Sequence, residues 1–106
     1  MVTQNVIQKI TDQIVSAVSP QRIYLFGSYP TGKQNAESDL DFLIVMPDDS
    51  KKKYEIADTI QKRIRLMNPT SNDLIIEYAD KFNRFHNIPY SFVGHIVKTG
   101  VLLYES

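Results

Sequence analysis

The fold of this chain is decided by the stretch GSYPTGKQNAESDLDFLIVM, residues 27–46. It ends in a wholly apolar run of strand length, and Asp39 and Asp41 mark the point where that strand begins. Because strand side chains alternate between faces, the two carboxylates point the same way, about 7 Å apart along the chain. They repel each other at the mouth of an apolar strand, and a cation held between them offsets that cost.

The same stretch opens with a glycine and a serine that follow another apolar segment, residues 22–26. A turn made by Gly27 and Ser28 at the end of a strand offers backbone N–H groups that bind phosphate. A divalent metal beside phosphate is the combination that nucleotide chemistry uses. The local pattern therefore indicates a site that handles nucleotides.

Whole-chain properties set the class of protein. A chain of 106 residues with 42% apolar content predicts one globular domain spanning residues 1–106. The absence of cysteine excludes disulfides, thiolate zinc sites and a cysteine nucleophile, and it is compatible with a reducing cytoplasm. No apolar stretch approaches the roughly 20 residues that span a bilayer, and no signal peptide is visible. We therefore expect a cytoplasmic protein with no membrane partner.

Charge is unevenly distributed along the chain. The first half has an acidic excess and the second half a basic excess, centred on residues 51–53 and 62–65. The basic groups form either a solvated helix face or a docking surface for an acidic partner. No aromatic residues interleave with them, so direct nucleic-acid binding is disfavoured.

Helix-like and strand-like patterns alternate, which predicts an α+β fold of layered type, a small mixed β-sheet packed by helices. Apolar residues at three- and four-residue steps predict a helix from near Thr3 to Val18 and another from about residue 50 to Leu66. Predicted strands cover residues 22–26, 40–46, 73–78 and 101–104. Residues 80–99 are predicted to be helical with an interruption at 87–89.

A third acid precedes a third apolar run. Asp73 has the same place ahead of its predicted strand that Asp39 and Asp41 have ahead of theirs. If the strands are neighbours in compatible directions, the three carboxylates converge at one sheet edge; otherwise Asp73 is an ordinary acid at a strand start. Three acids can hold two Mg²⁺ ions about 4 Å apart, a geometry that promotes phosphoryl displacement.

A phosphate-loop NTPase is the competing interpretation of residues 27–34, which nearly match G-x-x-x-x-G-K-[ST]. Gln34 replaces the hydroxyl residue that would hold Mg²⁺. The few residues that remain before Leu40 leave no room for the helix that should follow. The phosphate-loop interpretation is therefore disfavoured.

Gly27-Ser28, ten intervening residues and Asp39-Leu40-Asp41 together resemble the signature of the nucleotidyltransferase superfamily related to DNA polymerase β. The order of predicted elements is similar to that of its minimal, single-domain members, the MNT proteins. These are commonly encoded beside a HEPN-domain protein as a toxin–antitoxin pair. The resemblance implies the polymerase β-like nucleotidyltransferase fold for nearly the whole chain.

The resemblance also implies a role for each matching residue. Gly27 and Ser28 would bind the β- and γ-phosphates of ATP, and Asp39, Asp41 and Asp73 would bind two Mg²⁺ ions and carry catalysis. The reaction would transfer AMP to a hydroxyl, in MNT antitoxins a tyrosine of the HEPN-type toxin. The alternative is a catalytically weak or inactive subunit of the same fold that neutralises its partner by binding alone.

Three further features of the sequence concern residues 29–32, Glu77 and the aromatic-rich segment. Many relatives carry Arg-Ala-Arg-Gly directly after Gly-Ser, whereas this chain has Tyr-Pro-Thr-Gly at residues 29–32, a change that concerns donor binding more than metal binding. Glu77 shares a predicted strand face with Asp73 and is expected to face solvent rather than support the site. The aromatic-rich segment 82–92 is expected to be core for the most part, with some residues at an interface.

Overall fold

Helices and strands follow one another in the order that the sequence predicts. The computed structural model describes residues 4–27, 40–67 and 72–106. The predicted helix start near Thr3 therefore lies outside the described residues. The elements are α1 Gln4–Val18, β1 Arg22–Phe26, β2 Leu40–Met46, α2 Lys53–Arg65, β3 Asn72–Tyr78, α3 Ala79–Phe85, α4 Phe92–Thr99 and β4 Val101–Glu105. The last predicted helical segment is divided into α3 and α4 at the predicted interruption.

The strands form a mixed sheet in the order β3-β2-β1-β4. β1 pairs antiparallel with both β2 and β4, whereas β2 and β3 are parallel and are connected through α2. The predicted α+β class with a small mixed sheet is confirmed. A phosphate loop requires a strand, the loop and a helix in a parallel crossover unit, so the antiparallel pairing of β1 with β2 contradicts that alternative.

One face of the sheet is covered by α1 and α2. Each helix contributes a stripe of isoleucines at three- or four-residue spacing, which packs against alternate residues of β2 such as Phe42 and Ile44. The stripe residues are Ile7, Ile10, Ile14, Ile56, Ile60 and Ile64. The other residues of β2, Leu43 and Val45, are buried on the opposite face. Burial on both faces explains why β2 is almost entirely apolar in sequence.

The opposite face of the sheet is covered by α3 and α4. Phe82 is 1% exposed and forms the centre of this cluster, with its ring 5.9 Å from Tyr24 and stacked 5.6 Å from His86. The predicted core role of the aromatic segment is thus confirmed for Phe82. Tyr90 and Phe92 are 93% and 58% exposed, so they stand outside the core. Their assignment to an interface remains a prediction.

The connection between α3 and α4 is held by a serine and a glycine. The Ser91 hydroxyl donates to the Ile88 carbonyl at 2.8 Å, and it accepts the Gly94 backbone N–H at 2.9 Å as the N-cap of α4. A Cβ at Gly94 would overlap the Ile88 carbonyl, so only glycine permits this close approach. The turn therefore fixes where α4 begins. Within the described ranges, no helix is long and apolar enough to cross a membrane.

Candidate active site

Three neighbouring strands bring Phe26, Asp41 and Asp73 into one row at a single edge of the sheet. The parallel register pairs Asp41 with Asp73, and the antiparallel register pairs Phe26 with Asp41. Paired residues on neighbouring strands point to the same face, with their backbones about 5 Å apart. The structure therefore brings Asp41 and Asp73 together on the face that α3 and α4 cover. Their roles in metal binding and catalysis remain predictions.

Gly27 ends β1 directly beside this pair. Its φ of +86° lies in the left-handed region that favours glycine. A Cβ at this position would collide with the Asp41 carboxylate, and it would lie 3.2 Å from the Asp41 Cγ. The residue is therefore required to be glycine for two reasons, the backbone conformation and the close approach of a predicted metal ligand. Its phosphate-binding role remains a prediction.

The remaining predicted site residues lie outside the described part of the chain. These are Ser28 and Asp39, together with residues 29–33, whose sequence departs from the relatives' pattern. Within residues 4–27, 40–67 and 72–106, no three Asp, Glu, His or Cys side chains gather in a group that could hold a metal. The described site thus contributes two carboxylates, and the third metal ligand proposed from sequence is Asp39.

The two described carboxylates differ in their surroundings. Asp41 is half-buried, whereas Asp73 is exposed at the outer strand of the sheet. Like charges at directly paired positions destabilise a sheet. None of the ion pairs between described residues involves Asp73. Carboxylate oxygens are the hard ligands that Mg²⁺ prefers, so this donor set fits a divalent cation, which would also relieve the repulsion.

Glu77 is buried, so the prediction that it faces solvent is wrong. Its side chain is buried, with Lys53 Nζ 3.4 Å from one carboxylate oxygen and Lys81 Nζ 3.6 Å from the other. Its own carboxylate also accepts the backbone N–H of Tyr78 at 3.1 Å. Asp73 lies on the same face of β3, but about 13 Å further along the strand. Glu77 therefore anchors the start of α2 and the first turns of α3 to β3, away from the acid pair.

The four-residue spacing of Glu77 and Lys81 indicates one of these two ion pairs in the sequence. Residues four apart on a helix are neighbours, and here a strand residue pairs with a lysine just inside the following helix. The contact with Lys53 depends on the position of α2 beside β3, which no sequence spacing specifies. Burial of Glu77 is possible because two lysines neutralise it.

A cavity of about 290 Å³ lies away from the acid pair. Its lining includes Met46, at the opposite end of β2 from Asp41, and residues 49–51 just before α2. It is therefore separated from Asp41 by five residue steps of β2, about 17 Å. The acids and the cavity do not belong to one site.

The order of strands, the glycine turn and the paired acids define the class of protein. The family described as Polymerase beta, Nucleotidyltransferase matches residues 8–106. The chain belongs to this nucleotidyltransferase family, and the family predicted from Gly27-Ser28 and Asp39-Leu40-Asp41 is thereby confirmed. No curated protein shows significant sequence similarity to the chain.

Solved structures with the same fold include three informative relatives. A protein from Sulfolobus solfataricus, provisionally assigned as a nucleotidyltransferase, has a TM-score of 0.64 at 18% identity, covering 95% of this chain and 78% of its own. A toxin–antitoxin structure with AMP-PNP has a TM-score of 0.59 at 22% identity, covering 93% and 73%. The toxin–antitoxin MntA-HpeT, in a mutant with two Asp-to-Glu changes, has a TM-score of 0.58 at 21% identity, covering 99% and 75%. At these identities the likeness establishes the polymerase β-like fold.

Proposed function

We propose that this chain is a metal-dependent adenylyltransferase that modifies a partner protein. It transfers AMP from ATP to a hydroxyl, a tyrosine of a HEPN-type toxin, and so acts as the antitoxin of the pair. Membership of the nucleotidyltransferase family supports the reaction class. The similar fold of two toxin–antitoxin structures, one of them with AMP-PNP, supports an adenine nucleotide as the donor and a toxin as the partner.

The observation that carries this proposal is the pairing of Asp41 with Asp73 beside Gly27. Two adjacent carboxylates repel each other, and a cation bound between them offsets that repulsion. A positive-φ glycine turn beside them lets a phosphate approach the backbone closely, because no side chain stands in the way. Metal ligands and phosphate-binding groups are the parts that nucleotidyl transfer requires.

In the proposed reaction the acceptor hydroxyl oxygen forms a bond to the α-phosphorus of ATP. The bond from that phosphorus to the bridging oxygen breaks, and pyrophosphate leaves. The hydroxyl proton passes to the exposed carboxylate of Asp73, while Gly27 and Ser28 bind the β- and γ-phosphates. Mg²⁺ held by Asp39, Asp41 and Asp73 would neutralise charge that develops on the phosphate oxygens.

The exposed position of Asp73 suits an acceptor that comes from another protein. β3 is an outer strand of the sheet, and Ile75, two residues along the same face, is itself 37% exposed. A hydroxyl presented on a partner's surface therefore reaches the acid pair without passing through the core. Binding of the nucleotide and approach of the acceptor take place on the same face of the sheet.

The test is transfer of label to the protein encoded by the neighbouring gene. The chain is incubated with that protein, Mg²⁺ and ATP labelled either at the α- or at the γ-phosphate. Wild type should transfer the α-label only. Asp41→Asn and Asp73→Asn should lower the rate by at least about 100-fold. Asp58→Asn, which changes an exposed acid on α2, is the matched control and should label like wild type.

Three results would contradict the proposal. Equal labelling by wild type and by both site variants would show that the acids do not act in transfer. Neutralisation of the partner's toxicity by wild type without any label would favour the alternative, inhibition by binding alone. Transfer of the γ-label would change the reaction class to phosphoryl transfer.

A further inference from the structure

An exposed aromatic ring stands beside the acid row. Phe92 is the first residue of α4, and its ring meets the ring of Phe26 edge-on with centroids 6.0 Å apart. Phe26 is the register partner of Asp41 and shares its face of the sheet. The Phe92 ring therefore lies on the order of 10 Å from the backbone of Asp41, on the side where the acids point.

Phe92 also forms one wall of a cavity of about 180 Å³. The remaining walls are Phe85 of α3, Lys81, Ser91 and Val93. Pockets that enclose whole small-molecule ligands are usually about 300–1,000 Å³. This cavity is thus sized for one ring system of a larger ligand, and two phenylalanines and a lysine are among the residues that line it.

The Phe92 ring is presented by a rigid turn. The Ser91 hydroxyl bonds to the backbone on both sides of the turn, and Gly94 packs against the Ile88 carbonyl. The neighbouring side chain of Val93 is buried in the core. An aromatic ring that is held in place loses little conformational freedom when a ligand binds against it.

We propose that this cavity binds the nucleobase of the donor nucleotide, stacked on Phe92. The inference rests on the proposed function, which places the triphosphate at the turn of Gly27 and the acids. The base is the part of a nucleotide that lies away from its phosphates, and Phe92 stands at such a distance on the same face. Stacking on an aromatic ring is available to any base, because each has a π-face.

Lys81 is the charged residue among those that line the cavity. Its ammonium group is 3.6 Å from Glu77, which Lys53 also neutralises, and the Lys81 side chain is more than half exposed. It can therefore donate a hydrogen bond to a ring nitrogen or carbonyl oxygen of a base, because Lys53 continues to neutralise Glu77. Nucleobases carry such acceptors on their edges.

The acceptor tyrosine is a poorer occupant for this cavity. Its hydroxyl has to reach the α-phosphorus, which the proposed function places at the acid pair. Its ring would then lie over Asp41 and Asp73 rather than on the order of 10 Å away, beyond Phe26. The cavity is therefore assigned to the donor and not to the acceptor.

Calorimetric titration of the full chain tests this assignment with two probes. The first is a non-hydrolysable ATP analogue with Mg²⁺, and the second is inorganic tripolyphosphate, which has no base. Phe92→Ala and Phe92→Leu should weaken binding of the analogue by about 5- to 100-fold and leave tripolyphosphate binding unchanged. Phe92→Tyr, which keeps the ring, should bind like wild type. Tyr90→Ala is the matched control, because Tyr90 is almost fully exposed and does not line the cavity.

Each other outcome overturns the assignment. Equal affinity of wild type and Phe92→Ala for the analogue would show that the base does not bind in this cavity, and the proposed transfer reaction would be unaffected. A parallel loss of analogue and tripolyphosphate binding would mean that the substitution disturbs the phosphate site. A raised KM for the partner protein with unchanged analogue binding would assign the cavity to the acceptor. Failure of wild type to bind the analogue at all would contradict the proposed function itself, and this inference with it.

Discussion

Replacing Gly27 by alanine separates two costs that the structure assigns to this position. The first cost is conformational, because a φ of +86° is unfavourable for any residue with a Cβ. The second is steric, because the new methyl group would occupy the space of the Asp41 carboxylate. We expect the conformational cost to be about 1–2 kcal/mol and the steric cost to add at least about 1 kcal/mol.

A double-mutant cycle with Asp41→Ala isolates the steric cost. In that background the carboxylate is gone, so Gly27→Ala should lower the free energy of unfolding by the conformational cost alone, about 1–2 kcal/mol. In the wild-type background the same substitution should lower it by roughly 2–4 kcal/mol. The difference between the two backgrounds is the coupling between Gly27 and Asp41, and it should be at least about 1 kcal/mol.

Urea unfolding followed by circular dichroism measures all four proteins of the cycle. Labelled-ATP transfer measured on Gly27→Ala should fall more steeply than stability alone explains, because the displaced Asp41 carboxylate leaves its place beside Asp73. A Gly27→Ala cost that is the same in both backgrounds would refute the close approach of Gly27 to Asp41. Wild-type stability of Gly27→Ala would refute the positive-φ turn as well.

Three further predictions concern the parts of the fold that support the site. Phe82→Ala should lower the free energy of unfolding by about 3–5 kcal/mol in urea, because it empties the centre of the α3–α4 face; a loss below about 1 kcal/mol would contradict that burial. Glu77→Ala should lower the free energy of unfolding by about 1–2 kcal/mol, since Lys53 and Lys81 are half-exposed and remain hydrated. This loss should shrink in high salt, and a salt-independent loss would argue against the ion pairs. Ser91→Ala should cost about 1 kcal/mol through loss of the α4 cap, seen as a lower Tm, and an unchanged Tm would contradict the capping bonds.

Much of the architecture follows from local sequence patterns. The apolar run of β2 is continuous because both faces of that strand are buried, and the isoleucine stripes of α1 and α2 repeat at helical spacing because one face of each helix is buried. The interruption between α3 and α4 follows from the Pro89 region, where the helix pattern fails. These features depend on near neighbours in the chain, so the sequence alone predicts them.

The site itself depends on contacts between distant segments. Asp41 and Asp73 become neighbours only because β3 lies beside β2 in parallel and in a register that pairs these two residues. A shift of one residue would place Asp73 on the other face of the sheet. Convergence of the acids therefore does not follow from the sequence alone, and the pairing of β2 with β3 establishes it for Asp41 and Asp73.

Two residues were misjudged or missed for the same reason. Glu77 looked like a solvent-facing strand residue because its lysine partners come from α2 and α3, on either side of β3 in the sequence. Phe92 lies in an aromatic-rich segment that contains both core and exposed rings. Only the packing of α4 against β1 shows that its ring meets Phe26 rather than the core around Phe82.

The central claim is that Asp41 and Asp73 form the chemical centre of a nucleotidyltransferase. The most direct measurement is the single-turnover rate of α-label transfer to the partner protein by Asp73→Asn, compared with Asp80→Asn, which changes an exposed acid on α3. We expect a rate at least about 100-fold below wild type for Asp73→Asn and a wild-type rate for Asp80→Asn. A correctly folded Asp73→Asn that transfers label within about twofold of the wild-type rate would contradict it, since a change of 100-fold corresponds to about 2.7 kcal/mol in the barrier.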